Sequence, residues 1–397
     1  MVVEPKVRGF ICTTAHPAGC YQNVMNQIQY VKSHSAIASA PKNVLVIGCS
    51  TGYGLASRIV AAYAGQAKTI GVCFEKPASD KRTATAGWYN TAAFEKIAHR
   101  DGLYAKTING DAFSEDIKNK TIELIKKDLG NVDCVIYSLA SPRRTHPKTG
   151  ETFHSTLKPI NQDYRNKTVD PMSGTVSEIM LEPANAEDIA HTVAVMGGED
   201  WAMWIDALKK ENVLADHAMT MAYTYVGPAL THAIYKNGTI GKAKDDLLKT
   251  ARQLNEMLKK TGSRALVSVN KAVVTQASSA IPVVPLYISI LFRLMKEKGT
   301  HEGCIEQMER LFRDFVYTGK PIVTDAEDRV RIDDLEMQAD VQAGVEKLWS
   351  TVNTDNIQSI TDIAGYRRDF YRLFGFEVDG VDYSADVNID VKIPSVE

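Results

Sequence analysis

The run Asn43-Val-Leu-Val-Ile-Gly48, with the seven-residue turn that it enters, constrains this chain more than any other part of it. A short, β-branched apolar run ending in glycine reads as a strand buried on both faces of a parallel sheet. The turn is Gly48-Cys49-Ser50-Thr51-Gly52-Tyr53-Gly54. Leu55, Ile59, Val60 and Tyr63 then recur at helical spacing. Strand, glycine turn and helix in that order form a dinucleotide-binding βα unit. The glycines let the backbone approach a pyrophosphate, and the helix N-terminus offers it N–H groups and a positive dipole end. Glycine-rich turns are common, so it is the place between strand and helix that gives this one weight. The alternative is a purely structural turn.

The alternation continues. Residues 69–75 read as a second strand, 93–102 as a helix and its end, and 104–111 as a third strand. Residues 114–128 read as a helix with Ser114 as N-cap, and 134–140 as a fourth strand. Such a pattern predicts an α/β fold, a Rossmann-like doubly wound parallel sheet with helices on both faces. Residues 141–199 are broken by Pro142, Pro147, Gly150, Pro159, Pro171, Gly174 and Pro183, with hairpin chemistry at 143–153. They read as an insertion, with a hairpin, over the strand ends. A helix is expected at 200–210, strands at 218–226 and 265–271, and a long helix between them at 242–260. Beyond Gly299 the pattern is mostly helical, with extra helices and a short polar tail. No repeat or low-complexity linker divides the chain. The expectation is one elaborated domain over 1–397, with a core at 43–300, an insertion at 141–199 and a helical extension at 300–397.

Charge excludes one broad class. Lys plus Arg number 46 against 48 Asp plus Glu, so the basic excess of a nucleic-acid binder is missing. The six cysteines at 12, 20, 49, 73, 134 and 304 form no CxxC pair and read as buried free thiols of a reducing cytosol. Cys12-x3-His16-x3-Cys20 has no fourth ligand in view and His16 precedes Pro17, so no metal is expected. The N-terminus carries no secretory apolar stretch. The apolar segment 280–295 holds two prolines and Arg293 and falls short of the ~20 residues of a membrane span. A cytoplasmic protein without membrane contact is expected.

Glu75 ends the second expected strand. A carboxylate there accepts hydrogen bonds from the adenosine ribose hydroxyls and repels a 2′-phosphate, which favours NADH over NADPH. The alternative is a surface carboxylate capping the next turn. Asp111 ends the third strand, where it could bond an adenine amino group or cap a helix. Tyr235 and Lys244 are nine residues apart. On one straight helix nine residues turn about 900° and rise about 13.5 Å, so the two would lie on opposite faces. Asn237-Gly238 is a break signal. A helix ending near Lys236 and another starting near Thr239 would bring them to one site. There a phenol can donate to an oxygen gaining negative charge, and an ammonium can stabilise the phenolate and hold cofactor ribose. Alone, the pair is weak evidence.

The chain resembles the NADH-dependent trans-2-enoyl-CoA reductases and FabV-type enoyl-acyl-carrier-protein reductases, a branch of the short-chain dehydrogenase/reductase superfamily. The likeness runs almost end to end. It is carried by Gly48–Gly54, Phe74-Glu75, Gly87-Trp-Tyr-Asn90, Asp111-Ala112, Tyr137-Ser-Leu-Ala-Ser-Pro142, Val195-Met-Gly-Gly-Glu-Asp-Trp201, Tyr225, Tyr235-x8-Lys244 and Val273-Val-Thr-Gln-Ala-Ser-Ser-Ala-Ile-Pro282.

The resemblance implies hydride transfer to C3 of an enoyl thioester, an enolate held by tyrosine, and protonation at C2. It implies Tyr235 as proton donor, Tyr225 as contact to the substrate carbonyl and Lys244 as the lysine on the cofactor. Gly48, Cys49, Ser50, Thr51, Gly52 and Tyr53 would line the pyrophosphate. Phe74 and Glu75 would meet the adenosine ribose, Asp111 and Ala112 the adenine, Leu139 and Ala140 the nicotinamide ribose side, and Val273, Val274 and Thr275 the nicotinamide carboxamide and phosphate. The apolar helix at 281–295, with Ile281, Tyr287 and Met295, is expected either to wall the acyl chain or to be core. The substrate would be an acyl-CoA, with acyl carrier protein as the alternative carrier, and a monomer is expected rather than a tetramer. The rival readings are a carbonyl dehydrogenase/reductase on the same fold and a dinucleotide sensor without turnover.

Overall fold

The computed structural model describes residues 1–396. The chain opens with a two-strand ribbon, β1 (Val7–Arg8) and β2 (Ile11–Cys12), and α1 (Pro17–Lys32). His16 Nδ1 caps α1 by accepting from the Gly19 N–H. The central strand is β3 (Asn43–Ile47). It pairs in parallel with β4 (Lys68–Cys73) and β6 (Val132–Tyr137). β5 (Ala105–Asn109) extends one side of the sheet. β11 (Leu214–Thr224), β12 (Arg264–Val269) and β13 (Arg329–Arg331) extend the other. The order β13-β12-β11-β6-β3-β4-β5 is parallel throughout. Strand succession reverses between β3 and β6, which opens a crevice at the carboxyl ends of these strands.

The pleat explains why β3 is apolar at consecutive positions, since alternate side chains enter opposite layers. Val44 and Val46 pack with α1, α2 (Gly52–Tyr63), α3 (Ala86–Arg100) and α11 (Cys304–Arg310), which a π-helical turn at Leu311–Val316 continues. Leu45 and Ile47 pack with α4 (Glu115–Asp128), α6 (Glu199–Lys210) and α8 (Thr239–Leu258). Ser114 caps α4, its Oγ accepting from the Ile117 N–H at 3.2 Å.

The insertion holds two hairpins where one was expected. β7 (Arg143–Thr145) with β8 (Thr152–His154) is the hairpin of the turn signals. β9 (Tyr164–Asp170) with β10 (Thr175–Leu181) is the second, followed by α5 (Ala186–Met196). Its Tyr164 and Val169 join a third core around α10 (Val284–Lys298), together with α12 (Ala339–Thr351), α13 (Ile357–Ile360) and α14 (Ile363–Arg372). Short α7 (Ala229–His232) precedes Tyr235, and short α9 (Gln276–Ser279) supplies Ala277 and Ser278 to the cavity described below. The segment beyond Gly299 is not purely helical. Arg329-Val330-Arg331 joins the sheet edge, and Val330 is fully buried there. The tail returns to α3, where Trp88 and Tyr89 donate to the carbonyls of Val391 and Ile389, both at 2.7 Å. The six cysteines are free thiols, five of them buried. Among the described residues no helix is long and apolar enough to cross a membrane.

Candidate active site

The glycine turn is steric necessity. Gly48 has φ +85°, and a Cβ there would lie 2.1 Å from the Ser138 carbonyl oxygen. A Cβ on Gly54 would lie 1.9 Å from the Gly48 carbonyl oxygen. A side chain on Gly48 would part the turn from the loop after β6, and one on Gly54 would push α2 away from the turn. Thr51 at the start of α2 is extended and makes no side-chain cap, so the first-turn N–H groups stay available to an anion. Cys49 is buried beneath the turn, where its sulfur accepts from Arg58 at 3.7 Å.

Glu75 sits two residues beyond β4. Its Oε1 accepts from Ser50 Oγ at 2.6 Å and its Oε2 from Thr85 Oγ1. A Cβ on Gly87 would lie 2.1 Å from Oε1, so α3 also closes on the carboxylate. Burial pushes its pKa up and the two hydroxyls oppose the shift. Phe74 beside it is 73% exposed. Asp111 does not cap α4, since Ser114 does; its Oδ1 instead accepts from the Phe113 N–H at 3.0 Å. The Ala112 carbonyl accepts from Lys118 Nζ at 3.0 Å and Trp204 Nε1 at 3.1 Å. Lys118 pairs with buried Asp200 at 2.8 Å, and Asp200 accepts from the Tyr137 hydroxyl at 3.1 Å. The loop after β5 is thereby tied to the end of β6.

At the carboxyl ends of β6, β11 and β12 lies a cavity of about 200 Å³. The chain breaks between α7 and α8, as Asn237-Gly238 suggested, and Tyr235 and Lys244 both line this cavity. Tyr225, just past β11, lines it too. The rings of Tyr225 and Tyr235 meet edge to face at 5.0 Å and 81°. The Tyr225 hydroxyl donates to Glu336 Oε1 at 2.9 Å. The Tyr235 hydroxyl has no hydrogen-bond partner among the described residues, and burial raises its pKa. Lys244 Nζ donates to the Tyr223 carbonyl at 3.4 Å, and burial lowers its pKa to about 8.

Tyr53, Leu139, Ala140, Val273, Thr275 and Ile281 also face the cavity. Val274 is not among its lining residues. Tyr287 and Met295 are fully buried away from it. The Tyr287 hydroxyl donates to Glu336 at 2.6 Å, and Met295 packs in the core around α10. Ile288, on the same helix, does line it. Two charged residues at the site escaped the sequence reading. Lys271 follows β12, where a charged residue ending an apolar strand was the available signal. Its pKa is lowered to about 8 by burial, with Glu336 and Glu302 opposing. Glu336, behind the Tyr225 hydroxyl rather than on the cavity wall, comes from a loop 111 residues after Tyr225 and gave no local signal. The arrangement can bind a dinucleotide along the strand ends and set a phenol and an ammonium against a substrate oxygen.

Three family models match. Residues 2–80 match the NAD(P)H-binding domain of trans-2-enoyl-CoA reductase, 82–317 its catalytic region, and 324–387 a region described as an enoyl reductase FAD-binding domain. The chain is 63% identical to an NADH enoyl-acyl-carrier-protein reductase of Flavobacterium johnsoniae, with both chains covered in full. It is 62% identical to an NADH trans-2-enoyl-CoA reductase of Ruminiclostridium cellulolyticum, covering 99% of each. The crystal structure of Treponema denticola trans-2-enoyl-CoA reductase in complex with NAD superposes with TM-score 0.95 at 51% identity, covering 100% of each chain.

Proposed function

Since this chain belongs to the trans-2-enoyl-CoA reductase family over its full length, we infer that it reduces the C2–C3 double bond of trans-2-enoyl thioesters with NADH, giving the saturated acyl thioester. The observation that carries this reading is the meeting of Tyr225, Tyr235 and Lys244 on one cavity at the strand ends. The residues fit a dinucleotide: the turn at Gly48 and Gly54 has no room for a Cβ, and the start of α2 is uncapped. In this reading Gly48–Tyr53 hold the pyrophosphate, and Phe74, Glu75, Asp111 and Ala112 the adenosine. Leu139, Ala140 and Val273–Thr275 hold the nicotinamide end. Glu75 would meet a 2′-phosphate with a half-buried negative charge, which disfavours NADPH.

Bound NADH supplies a hydride, which forms the C3–H bond while the C2–C3 π pair moves toward C2 and the thioester oxygen. The Tyr235 hydroxyl donates to that oxygen as charge develops on it, where a preorganised donor is worth most. Lys244 holds ribose hydroxyls and, as an ammonium, favours the charge that Tyr235 takes on. Tyr225 walls the thioester side, and Ile281 and Ile288 wall the acyl chain. A proton then adds to C2.

A flavin does not fit residues 324–387. They supply β13, bury Val330 and Ile332, and pack Val341, Val345 and Trp349 around α10. None of them lines the cavity. No step is assigned to a flavin.

The strand order, with tyrosine and lysine beside it, supports placing the chain on a branch of the short-chain dehydrogenase/reductase superfamily. We take coenzyme A as the carrier, acyl carrier protein as the alternative, a monomer as the assembly and the cytoplasm as the location. The test follows NADH absorbance with crotonyl-CoA and identifies the product. NADH oxidation with butyryl-CoA formed is expected. Reduction of a carbonyl with crotonyl-CoA untouched would favour the dehydrogenase reading, and NADH binding without turnover of any enoyl thioester would favour the sensor.

A further inference from the structure

The mechanism above leaves the buried carboxylate of Glu336 unused. Glu336 is 0% exposed, in the loop between β13 and α12. Its Oε2 accepts from the Ala272 N–H at 2.7 Å. Its Oε1 faces two phenols, Tyr287 at 2.6 Å and Tyr225 at 2.9 Å. Gln342 Nε2 donates to the Tyr287 hydroxyl at 3.3 Å and to the Glu336 carbonyl at 2.7 Å. The Tyr287 hydroxyl therefore accepts a hydrogen bond from Gln342 and donates its own to Glu336. Both carboxylate oxygens meet donors, so Glu336 acts as the acceptor and the Tyr225 proton also points to it. Three donors suit a buried carboxylate, which costs several kcal/mol when left unpaired. Tyr235 differs. It stands edge to face with Tyr225 at 5.0 Å, on the same cavity, with its hydroxyl unpartnered among the described residues.

We propose that Glu336 is a positioning residue that divides the labour between the two tyrosines: it accepts the hydrogen bond of the Tyr225 hydroxyl and leaves Tyr235 as the phenol that donates to the thioester oxygen. The proposal rests on the enoyl-thioester reading and refines it. Tyr225 then serves by shape. Its ring is pinned at the hydroxyl by Glu336 and holds the Tyr235 ring from the side. The loop that follows the sheet-edge strand β13 thus backs the cavity wall through the Tyr225 hydroxyl, and this gives the 324–387 region a role there without a bound group.

The test compares full-length wild type, Tyr235→Phe, Tyr225→Phe, Glu336→Gln and the double variant Tyr225→Phe/Glu336→Gln in steady-state turnover of NADH and crotonyl-CoA. Tyr235→Phe is expected to lower kcat by ~100-fold or more, the scale of a lost proton donor. Tyr225→Phe should lower it by less than ~10-fold, the scale of a lost ring anchor. Glu336→Gln sets an amide N–H against one of the three donors, weakens the hold on the Tyr225 hydroxyl and should lower kcat without raising KM for NADH. In the Tyr225→Phe background the same change should have little further effect. Tyr225→Phe as damaging as Tyr235→Phe overturns the proposal. So does a Glu336→Gln loss that persists undiminished without the Tyr225 hydroxyl, since that marks a merely structural role. Should Glu336→Gln fail to fold, the comparison of the two phenylalanine variants still decides. A wild type that does not turn over crotonyl-CoA or any other enoyl thioester brings down the functional reading, and the proposal with it.

Discussion

Tyr235 and Lys244 reach one cavity because the chain breaks at Asn237-Gly238, and that break was legible in the residues themselves. The partner that distinguishes Tyr225 from Tyr235 was not. Glu336 is brought in by tertiary packing from a short loop with no regular hydrophobic period. Tyr287 and Met295 show the converse. An apolar helix surrounded on all sides by core looks the same in sequence as one that walls a ligand, and here Ile288 rather than Met295 faces the cavity. Tyr235→Phe should lower kcat by ~100-fold to ~10,000-fold with NADH affinity kept. NADH titration by fluorescence checks the second half, and an affinity loss of similar size would assign Tyr235 to cofactor binding instead. Burial lowers the Lys244 pKa to about 8, so the ammonium is present below that pH and lost above it. kcat/KM for NADH should therefore fall as pH rises through about 8. Lys271 titrates in the same range, but Lys244→Arg keeps its charge and should move the limb to higher pH. An unmoved limb would assign the titration to another group. Glu75→Gln should raise NADPH use relative to NADH, as read from the ratio of kcat/KM values; an unchanged ratio would remove the carboxylate from cofactor choice.

At the scale of elements, the buried parallel strands were the plainest signal, because both faces of each are covered and the apolar runs are unbroken. Their ends were less so. β4 stops at Cys73 and β6 at Tyr137, and the residues beyond them form the loops that carry Glu75, Leu139 and Ala140. α1 carries a weaker signal, with Cys20, Val24, Ile28 and Val31 recurring on one buried face. β13 had no signal that a local reading could use. Three residues with arginine on both sides of one valine become a strand only where an edge is waiting. The glycine turn gives the sharpest prediction at this scale. Gly54→Ala places a Cβ 1.9 Å from the Gly48 carbonyl, backbone against backbone, so α2 must shift. NADH affinity should fall by ~10-fold or more, since this helix start faces the pyrophosphate and one lost charge-assisted hydrogen bond is worth about 1.5–3 kcal/mol. Wild-type affinity in that variant would show that the turn does not seat the cofactor.

Across the whole molecule, one sheet collects strands from residue 43 to residue 331, and the tail closes back on α3. We propose that residues 1–397 form one elaborated domain, so thermal unfolding followed by near- and far-ultraviolet circular dichroism should give coincident transitions; two separated ones would divide it. The tail matters to that unity. Ser395 donates from its N–H at 3.0 Å and its hydroxyl at 2.7 Å to Glu95, a fully buried carboxylate that approaches Arg58 at 4.0 Å. Ser395→Ala removes one of these donors and should cost about 1–3 kcal/mol by denaturant midpoint.

The central claim, hydride to C3 of an enoyl thioester followed by a proton at C2, is tested most directly by isotope placement. Crotonyl-CoA is reduced with NADH deuterated at the transferable nicotinamide position, and the butyryl-CoA is read by mass spectrometry and NMR. One deuterium is expected, on C3, and the hydrogen added at C2 derives from solvent, so it is deuterium only in heavy water. Cofactor deuterium on the carbonyl carbon, or none in the product, would contradict it.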